Sequence, residues 1–315
     1  MITVCMIVKN EESNIIECLT SFRPLTNHFS ITDTGSSDKT VEYARQAGAE
    51  VSFFAWKDDF SAARNTALSQ VKKEWVMMID ADQRLSEEDG RKIRKTLSSL
   101  KNDVSVIELY SEFHSKKALL PKLWRTSLGL QYRYPVHEYL QISTGLKRHQ
   151  LDVVLRSLPK ENYLPSRQYY VSLMEEYLQH HSNDQHMLYY LLCDAAYMKD
   201  YQKALLAAQR LLELDSLDEG LLVKVLLQSA QVLQAIGSYE LAHQSLLQAL
   251  DEDPQNISAC LLMGDLSVDL KNKKQAAIWY QRAQECPPPP IGRWYHDPGQ
   301  HELAQKKLSA LAHLL

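Results

Sequence analysis

WVMMIDAD (75–82) decides the fold. Its first five residues are apolar without interruption, which suits a strand covered on both faces of a sheet. It then delivers Asp80-Ala81-Asp82, two carboxylates one residue apart, just past the strand. Working upstream, the periodicity predicts a helix over Phe60–Val71, a strand over Glu50–Phe54 and a helix from about Lys39 to Ala47. Before these come a strand at FSITD (29–33), a helix over Glu11–Ser21 and a strand at ITVCMIV (2–8). Downstream, Glu87–Leu100 reads as a polar amphipathic helix and VSVIELY (104–110) as a strand. Strands alternating with helices imply an α/β domain with a mainly parallel, Rossmann-like mixed sheet and helices on both faces. Ligands of such sheets bind outside the carboxyl ends of the strands, where the acidic loops after 29–33 and 75–80 fall.

The chemistry of these loops is readable from residue type. Paired carboxylates such as Asp80 and Asp82 can share a hard divalent cation, because Mg²⁺ and Mn²⁺ prefer oxygen ligands and bridge carboxylates to phosphates. Taken alone, a solvated turn is the plainer reading of such a pair. Asp33 ends a strand before Thr34-Gly35-Ser36-Ser37-Asp38 and could accept from a base N–H or ribose hydroxyls. Capping of the next helix is assigned to Ser37 or Asp38 and the ligand role to Asp33. Arg64, in DDFSAARN (58–65), suits a carboxylate or phosphate contact, with an exposed helix charge as the equal alternative.

Together ITVCMIVKNEE, TDTGSSDKT, DDFSAARN and MMIDADQRL resemble, in order and spacing over about residues 1–140, the family 2 glycosyltransferases. The resemblance implies a GT-A fold, a UDP-sugar donor, a divalent metal (Mg²⁺ or Mn²⁺) and inversion at the anomeric carbon. It implies that Asp33 contacts the nucleoside, that Asp80 lies near ribose or metal, and that Asp82 coordinates the metal neutralising the leaving diphosphate. The chain departs from the common pattern at Thr34, where family members often carry a second Asp. The QxxRW motif of polymer synthases is also absent, and Gln131-Tyr132-Arg133-Tyr134 does not replace it.

Leu123-Trp124-Arg125-Thr126 through Tyr134-Pro135-Val136-His137-Glu138 resembles a branch of the family that includes bacterial peptide S-glycosyltransferases and lipopolysaccharide-core transferases. Inversion needs one base to take the acceptor proton, and Glu138 is the candidate. His137 is placed as a further metal or phosphate ligand, and Arg125 as a holder of the diphosphate. The plainer alternatives are a surface His-Glu pair after Pro135 and a structural ion pair at Arg125.

The second half has another texture. Pro254 and Pro288 are 34 apart, as are Ala242 and Ala276, Leu246 and Tyr280, and Ala249 and Ala283. Tyr201 and Ala204 precede Tyr239 and Ala242 by 38. Gly264 takes the small inner-helix position held by Ala230 one copy earlier. A helix–turn–helix period of this length resembles tetratricopeptide (TPR) repeats. Repeats are expected at about 185–220, 223–256 and 257–290, a half repeat at 166–182, and a capping helix from Gln300 to Leu315. The expected division is therefore 1–165 for the transferase domain and 166–315 for an all-α repeat domain. The repeated Ala and Leu are core, since each repeat buries its apolar face only against neighbours.

Charge follows the division. Residues 1–165 carry 23 Lys+Arg against 21 Asp+Glu, and 166–315 carry 12 against 18, for a net charge of -4. No global basic field exists to hold nucleic acid. An acidic array favours a basic or neutral partner, such as a peptide or protein acceptor, but could equally buttress the first domain or form a homodimer surface. The five cysteines form no CxxC or Cys/His cluster, so neither zinc nor a disulfide framework is expected, and free thiols fit a cytoplasmic location. No stretch reaches the ~20 apolar residues of a bilayer span. The expectation is an inverting, metal-dependent hexosyltransferase moving sugar from a UDP-sugar to a peptide or protein. The alternatives are a cell-surface glycan or lipid-linked acceptor, or a TPR adaptor with an inactive transferase domain.

Overall fold

The computed structural model describes residues 2–101, 103–113, 116–159, 164–217, 219–288 and 299–312. They form two compact units that divide between residues 159 and 164. In chain order the first unit holds β1 (Ile2–Val8), α1 (Ile15–Phe22), β2 (Phe29–Asp33), α2 (Thr40–Gln46), β3 (Glu50–Phe53), α3 (Phe60–Ser69) and β4 (Trp75–Met78). It continues with β5 (Gln83–Arg84), α4 (Glu87–Ser99), β6 (Val106–Phe113), β7 (Lys116–Arg125), β8 (Tyr132–Arg133), β9 (Tyr139–Leu140) and β10 (Arg148–Ser157).

Eight strands form one mixed sheet in the order β3-β2-β1-β4-β7-β6-β10-β5, and β8 and β9 pair separately. The first four are mutually parallel. The unbroken apolar run of β4 has the cause inferred from sequence, since both of its faces are covered. Trp75 and Met77 pack in a core with Ile15, Leu19 and Phe22 of α1 and Ile93 of α4. Val76 and Met78 pack on the other side with Ala67 of α3 and Trp124. The sheet is thus the mixed α/β sheet expected of a GT-A fold.

β7 was not legible from sequence. It enters antiparallel between β4 and β6, at the centre of the sheet, although Pro121 removes one ladder donor. The ladder absorbs this at a break in register: Leu123 pairs with Ile107 and Pro121 pairs with Glu108, leaving Lys122 outside the pairing. Proline within a sheet is confined to edges and such bulges.

The second unit is helical: α5 (Leu164–His180), α6 (Gln185–Tyr197), α7 (Tyr201–Leu212), α8 (Glu219–Ala235), α9 (Tyr239–Glu252), α10 (Ile257–Asp269), α11 (Lys273–Glu285) and α12 (Gln300–Ala312). Three hairpins follow the expected period, and their turns are built alike. Lys199, Gly237 and Lys271 close α6, α8 and α10, all with positive φ. The next N–H in each case bonds the carbonyl five residues back: Asp200 to Ala195, Ser238 to Leu233 and Asn272 to Ser267. That is the Schellman stop. Asp200 and Asn272 then cap the following helix through their side chains, accepting from the Lys203 and Gln275 N–H.

The small-residue position also has a geometric cause. A Cβ on Gly264 would lie 2.2 Å from the Tyr280 ring, so the large residue of α11 occupies the space glycine leaves on α10. One copy earlier, Ala230 and Leu246 take the same two positions. Residues 289–290 of the expected third repeat and 313–315 of the cap lie outside the described residues. No helix among the described residues is long and apolar enough to cross a membrane.

Candidate active site at the carboxyl edge of the sheet

Because β1 to β4 are parallel, the loops at their carboxyl ends gather at one edge. The first two loops brace each other. Asn10 N–H donates to Ser36 Oγ at 2.9 Å, and Ser37 N–H returns a bond to Asn10 Oδ1 at 2.8 Å. Glu11 N–H reaches Thr40 Oγ1 at 2.7 Å, Glu12 N–H reaches Asp38 Oδ2 at 3.1 Å, and Lys39 N–H reaches Glu12 Oε2 at 3.0 Å. The KNEE and SSDKT segments therefore work as complementary halves of one support. Thr34 belongs to it: its N–H and Oγ1 both bond Val8 O, at 2.9 and 3.1 Å.

Asp33 sits on this support and is 2% exposed. Its Oδ1 accepts the N–H groups of Gly35 and Ser36, each at 3.0 Å, around a turn that needs φ of +108° at Gly35. Its Oδ2 is buried with no hydrogen-bond partner. A buried acceptor left open is costly and calls for a reason. The cap position itself is Lys39, without a side-chain cap bond; Asp38, one residue earlier, accepts the Thr40 N–H through Oδ1 at 3.0 Å, and the Ser37 N–H bonds Asn10 instead.

Past β4, the acidic turn is held from below. Asp80 N–H donates to Gln83 Oε1 at 3.1 Å, and Gln83 N–H donates to Asp80 O at 3.0 Å. Arg84 bonds Ala81 O at 2.8 Å, and Leu158 N–H bonds Asp82 O at 2.9 Å. Both carboxylates remain partly exposed.

The third part of the site is the segment from β8 to Glu138, and α3 docks it. Asn65 exchanges two bonds with the Tyr132 backbone, at 3.0 and 2.8 Å. Ser61 Oγ donates to Tyr134 O at 2.5 Å, and Phe60 N–H donates to Pro135 O at 2.8 Å. Asp59 caps the helix by accepting the Ala62 N–H at 2.8 Å. Sequence reasoning missed these roles of Asp59, Ser61 and Asn65; the one signal was their helical spacing on the face that carries Arg64. Tyr134 and His137 hold φ of 79° and 49°, on either side of Pro135. Such strained non-glycine residues persist where the surroundings over-determine them.

Arg64 closes the site. Its Nε donates to Glu138 Oε1 at 2.6 Å and its Nη2 to Asp80 Oδ1 at 2.7 Å. The Arg64 and Glu138 side chains are 12% and 13% exposed, against 43% for Asp80. Burial works against the Arg64 charge, but Asp80 and Glu138 overcome it and hold the guanidinium firmly protonated. Neither buried cysteine nearby is a nucleophile at neutral pH, because burial pushes the thiols of Cys5 and Cys18 up to about 12.

One expected residue is not brought in. Arg125 pairs opposite Trp75, at the amino end of β4. There its guanidinium bonds Glu74 and Val104 O and stacks 4.6 Å over the Trp75 ring. The structural ion pair therefore describes Arg125, and the diphosphate contact does not. His137 lies beside Glu138, but among the described residues no group of three His, Cys, Asp or Glu side chains gathers to hold a metal. The Asp80–Asp82 pair fits a cation of the kind that takes most of its oxygens from phosphate and water. Conversely, Lys122, which sequence reasoning did not single out, falls on β7 level with Met78, two residues before Asp80. Burial pushes its ammonium pKa down, Asp80 pulls it up, Arg64 pushes it down, and Asp82 and Glu138 pull it up again.

Residues 3–148 match the sequence profile of Glycosyl transferase family 2, and the chain carries a domain of that family. A TPR repeat-containing protein of Synechococcus elongatus is 31% identical over 145 residues, covering 45% of this chain and 36% of that protein. The prophage-derived glycosyltransferase SunS of Bacillus subtilis is 38% identical over 96 residues, covering 30% of this chain and 23% of SunS. The chain thus spans well under half the length of these relatives. A glucosyl-3-phosphoglycerate synthase from Mycobacterium tuberculosis, solved with Mn²⁺, UDP and glucosyl-3-phosphoglycerate, aligns at 20% identity and a TM-score of 0.31, over 36% of this chain and 44% of that one.

Proposed function

We propose that this chain is an inverting, metal-assisted glycosyltransferase that uses a UDP-sugar and delivers the sugar to a peptide or protein. The observation that carries this reading is the Arg64 clasp. It ties Asp80, after β4, to Glu138, on a loop 58 residues later, at the carboxyl edge of the parallel strands, where ligands of such sheets bind.

Asp33 Oδ2 is the acceptor for a base N–H or ribose hydroxyl of the donor, which would satisfy its buried lone pairs. Asp82 and Asp80 would hold Mg²⁺ or Mn²⁺ together with the diphosphate, and the cation would supply charge for the leaving group. His137 is assigned a phosphate contact. Glu138 takes the acceptor proton: Arg64 engages its Oε1, and no other hydrogen bond to the carboxylate is made among the described residues. The acceptor oxygen or sulfur forms the new bond at the anomeric carbon as the bond to the diphosphate breaks on the opposite side.

The acceptor assignment rests on the repeats. Their acidic balance favours a basic or neutral chain, and exposed Tyr197 on α6 and Val268 on α10 offer apolar contacts on the first helices of their hairpins. The test is a panel of UDP-sugars scored by hydrolysis, followed by mass spectrometry of peptide acceptors. Calorimetry of UDP with and without Mn²⁺ accompanies it. Turnover of none of the donors would remove the transferase reading. Donor hydrolysis without peptide modification would remove the acceptor.

A further inference from the structure

Among the described residues, Lys122 is a basic side chain near the acidic cluster that is not engaged as Arg64 and Arg84 are. Arg64 is shared between two carboxylates, and Arg84 bonds Ala81 O, Gln83 O and Asn14 O. Lys122 makes no hydrogen bond and no ion pair among the described residues, yet it is partly buried. A part-buried ammonium without a partner is unfavourable, since the charge gives up hydration and gains no fixed ligand.

Its position is built. On β7, Leu123 pairs with Met77, so Lys122 falls level with Met78, two residues before Asp80. On the other side, the register break leaves Lys122 as the extra residue of a bulge. Bulges re-aim a side chain and recur beside active sites. Pro121 fixes where the bulge must fall, since it cannot donate to the ladder. The neighbouring alternation agrees: Leu123 enters the core on the α1 side, and Trp124 enters the core on the α3 side, where Arg64 and Tyr132 lie. Asp80, Arg64, Asp82 and Glu138 are the charges that Lys122 senses most strongly.

We propose that Lys122 is a diphosphate-binding residue of the donor site, placed by the β7 bulge to meet the oxygens on which charge accumulates as the sugar leaves. In that step the electron pair of the breaking sugar–oxygen bond goes to the terminal phosphate oxygen of the nucleoside diphosphate. The acceptor proton goes to Glu138. Lys122 keeps its protons and contributes charge and hydrogen bonds. The inference rests on the transferase reading above, but its binding site does not depend on which base the donor carries.

The experiment uses the full chain with uridine, UMP, UDP and inorganic pyrophosphate as calorimetric probes, each with and without Mn²⁺. Lys122→Met keeps the volume and removes the charge; Lys122→Arg keeps the charge. A charge-assisted bond to phosphate predicts that Lys122→Met loses about 10- to 100-fold in affinity for UDP and pyrophosphate. Uridine binding should be unchanged, and Lys122→Arg should recover part of the loss. Circular dichroism and the thermal midpoint establish that both variants fold. A merely structural lysine would weaken all four probes alike, which would overturn the proposal. Equal pyrophosphate affinity in wild type and Lys122→Met would also overturn it while leaving the UDP donor standing. Pyrophosphate binding that depends on Lys122, in a protein that ignores UDP, would support Lys122 and overturn the uridine donor.

Discussion

The two units use the same backbone feature for opposite ends. Among the described residues, six non-glycine residues hold positive φ: Asn10, Asp58, Tyr134, His137, Lys199 and Lys271. The first four lie in loops of the transferase unit, after β1, after β3 and around Pro135. The last two lie at helix stops of the repeat unit, where the homologous turn carries Gly237. In the repeats the left-handed residue is punctuation that any glycine could supply. In the first unit it shapes loops such as the one that brings Glu138 to Arg64. Left-handed backbone alone does not mark function; its coincidence with converging side chains does.

The sharpest way to break this contrast is at Glu138. Glu138→Gln should lower single-turnover transfer by ~10²–10⁴-fold while UDP affinity measured by calorimetry stays within a fewfold. A thiol acceptor would shrink the effect, because a thiol is partly ionised near neutral pH. Unchanged transfer to a hydroxyl acceptor would place the base elsewhere.

Next comes Asp82→Ala. It should abolish the gain in UDP affinity that Mn²⁺ confers, a loss of about 10-fold or more, with the fold intact. Chelating the metal from the wild-type protein should produce the same loss. UDP affinity in Asp82→Ala that still rises with Mn²⁺ would dismiss the assignment.

A third prediction concerns the repeats alone. Gly264→Ala drives a methyl into the Tyr280 ring and should destabilise the helical unit by ~1–3 kcal/mol in urea unfolding. Adding Tyr280→Leu restores the Ala/Leu combination of the preceding copy and should recover part of that loss. The recovery will be incomplete, because the Tyr280 hydroxyl also donates to Asp265 at 2.6 Å. A double variant no better than Gly264→Ala would mean that the two copies are not packed equivalently.

The smallest effects test the comparison most directly. Lys271→Gly relieves the left-handed strain at some entropic cost and should stabilise by about 0.5 kcal/mol. His137→Gly relieves the same strain but loosens the loop that holds Glu138. Its thermal midpoint should hold or rise while transfer falls severalfold. If both variants raise stability and neither touches transfer, the φ values at the two places mean the same thing.

Legibility differed between the units for a physical reason. The 34-residue period was visible in sequence because each repeat meets only its neighbours, so the small and large positions must recur. In the transferase unit, β1 to β4 could be read because strands covered on both faces are unbroken apolar runs. β7 could not: KKALLPKLWR mixes lysine and proline into a central strand, and only the bulge makes that tolerable. Asp33, Asp80, Asp82 and Glu138 could be singled out by residue type and motif. Arg125 and Arg64 looked alike in sequence, and nothing local said that one would face Trp75 and the other the carboxylates.

By itself, then, the amino-acid sequence determined the alternation of β1 to β4 with their helices, the period of the repeats and the set of acidic residues at the strand ends. Those properties follow from local patterning, which acts over a few residues or one repeat. The tertiary structure alone decided which charges meet. Arg64 clasps Asp80, 16 residues away, and Glu138, 74 residues away, while the register break in β7 leaves Lys122 outside the ladder with β6. Electrostatic pairing depends on distance in space, and chain spacing says nothing about that until the sheet has closed.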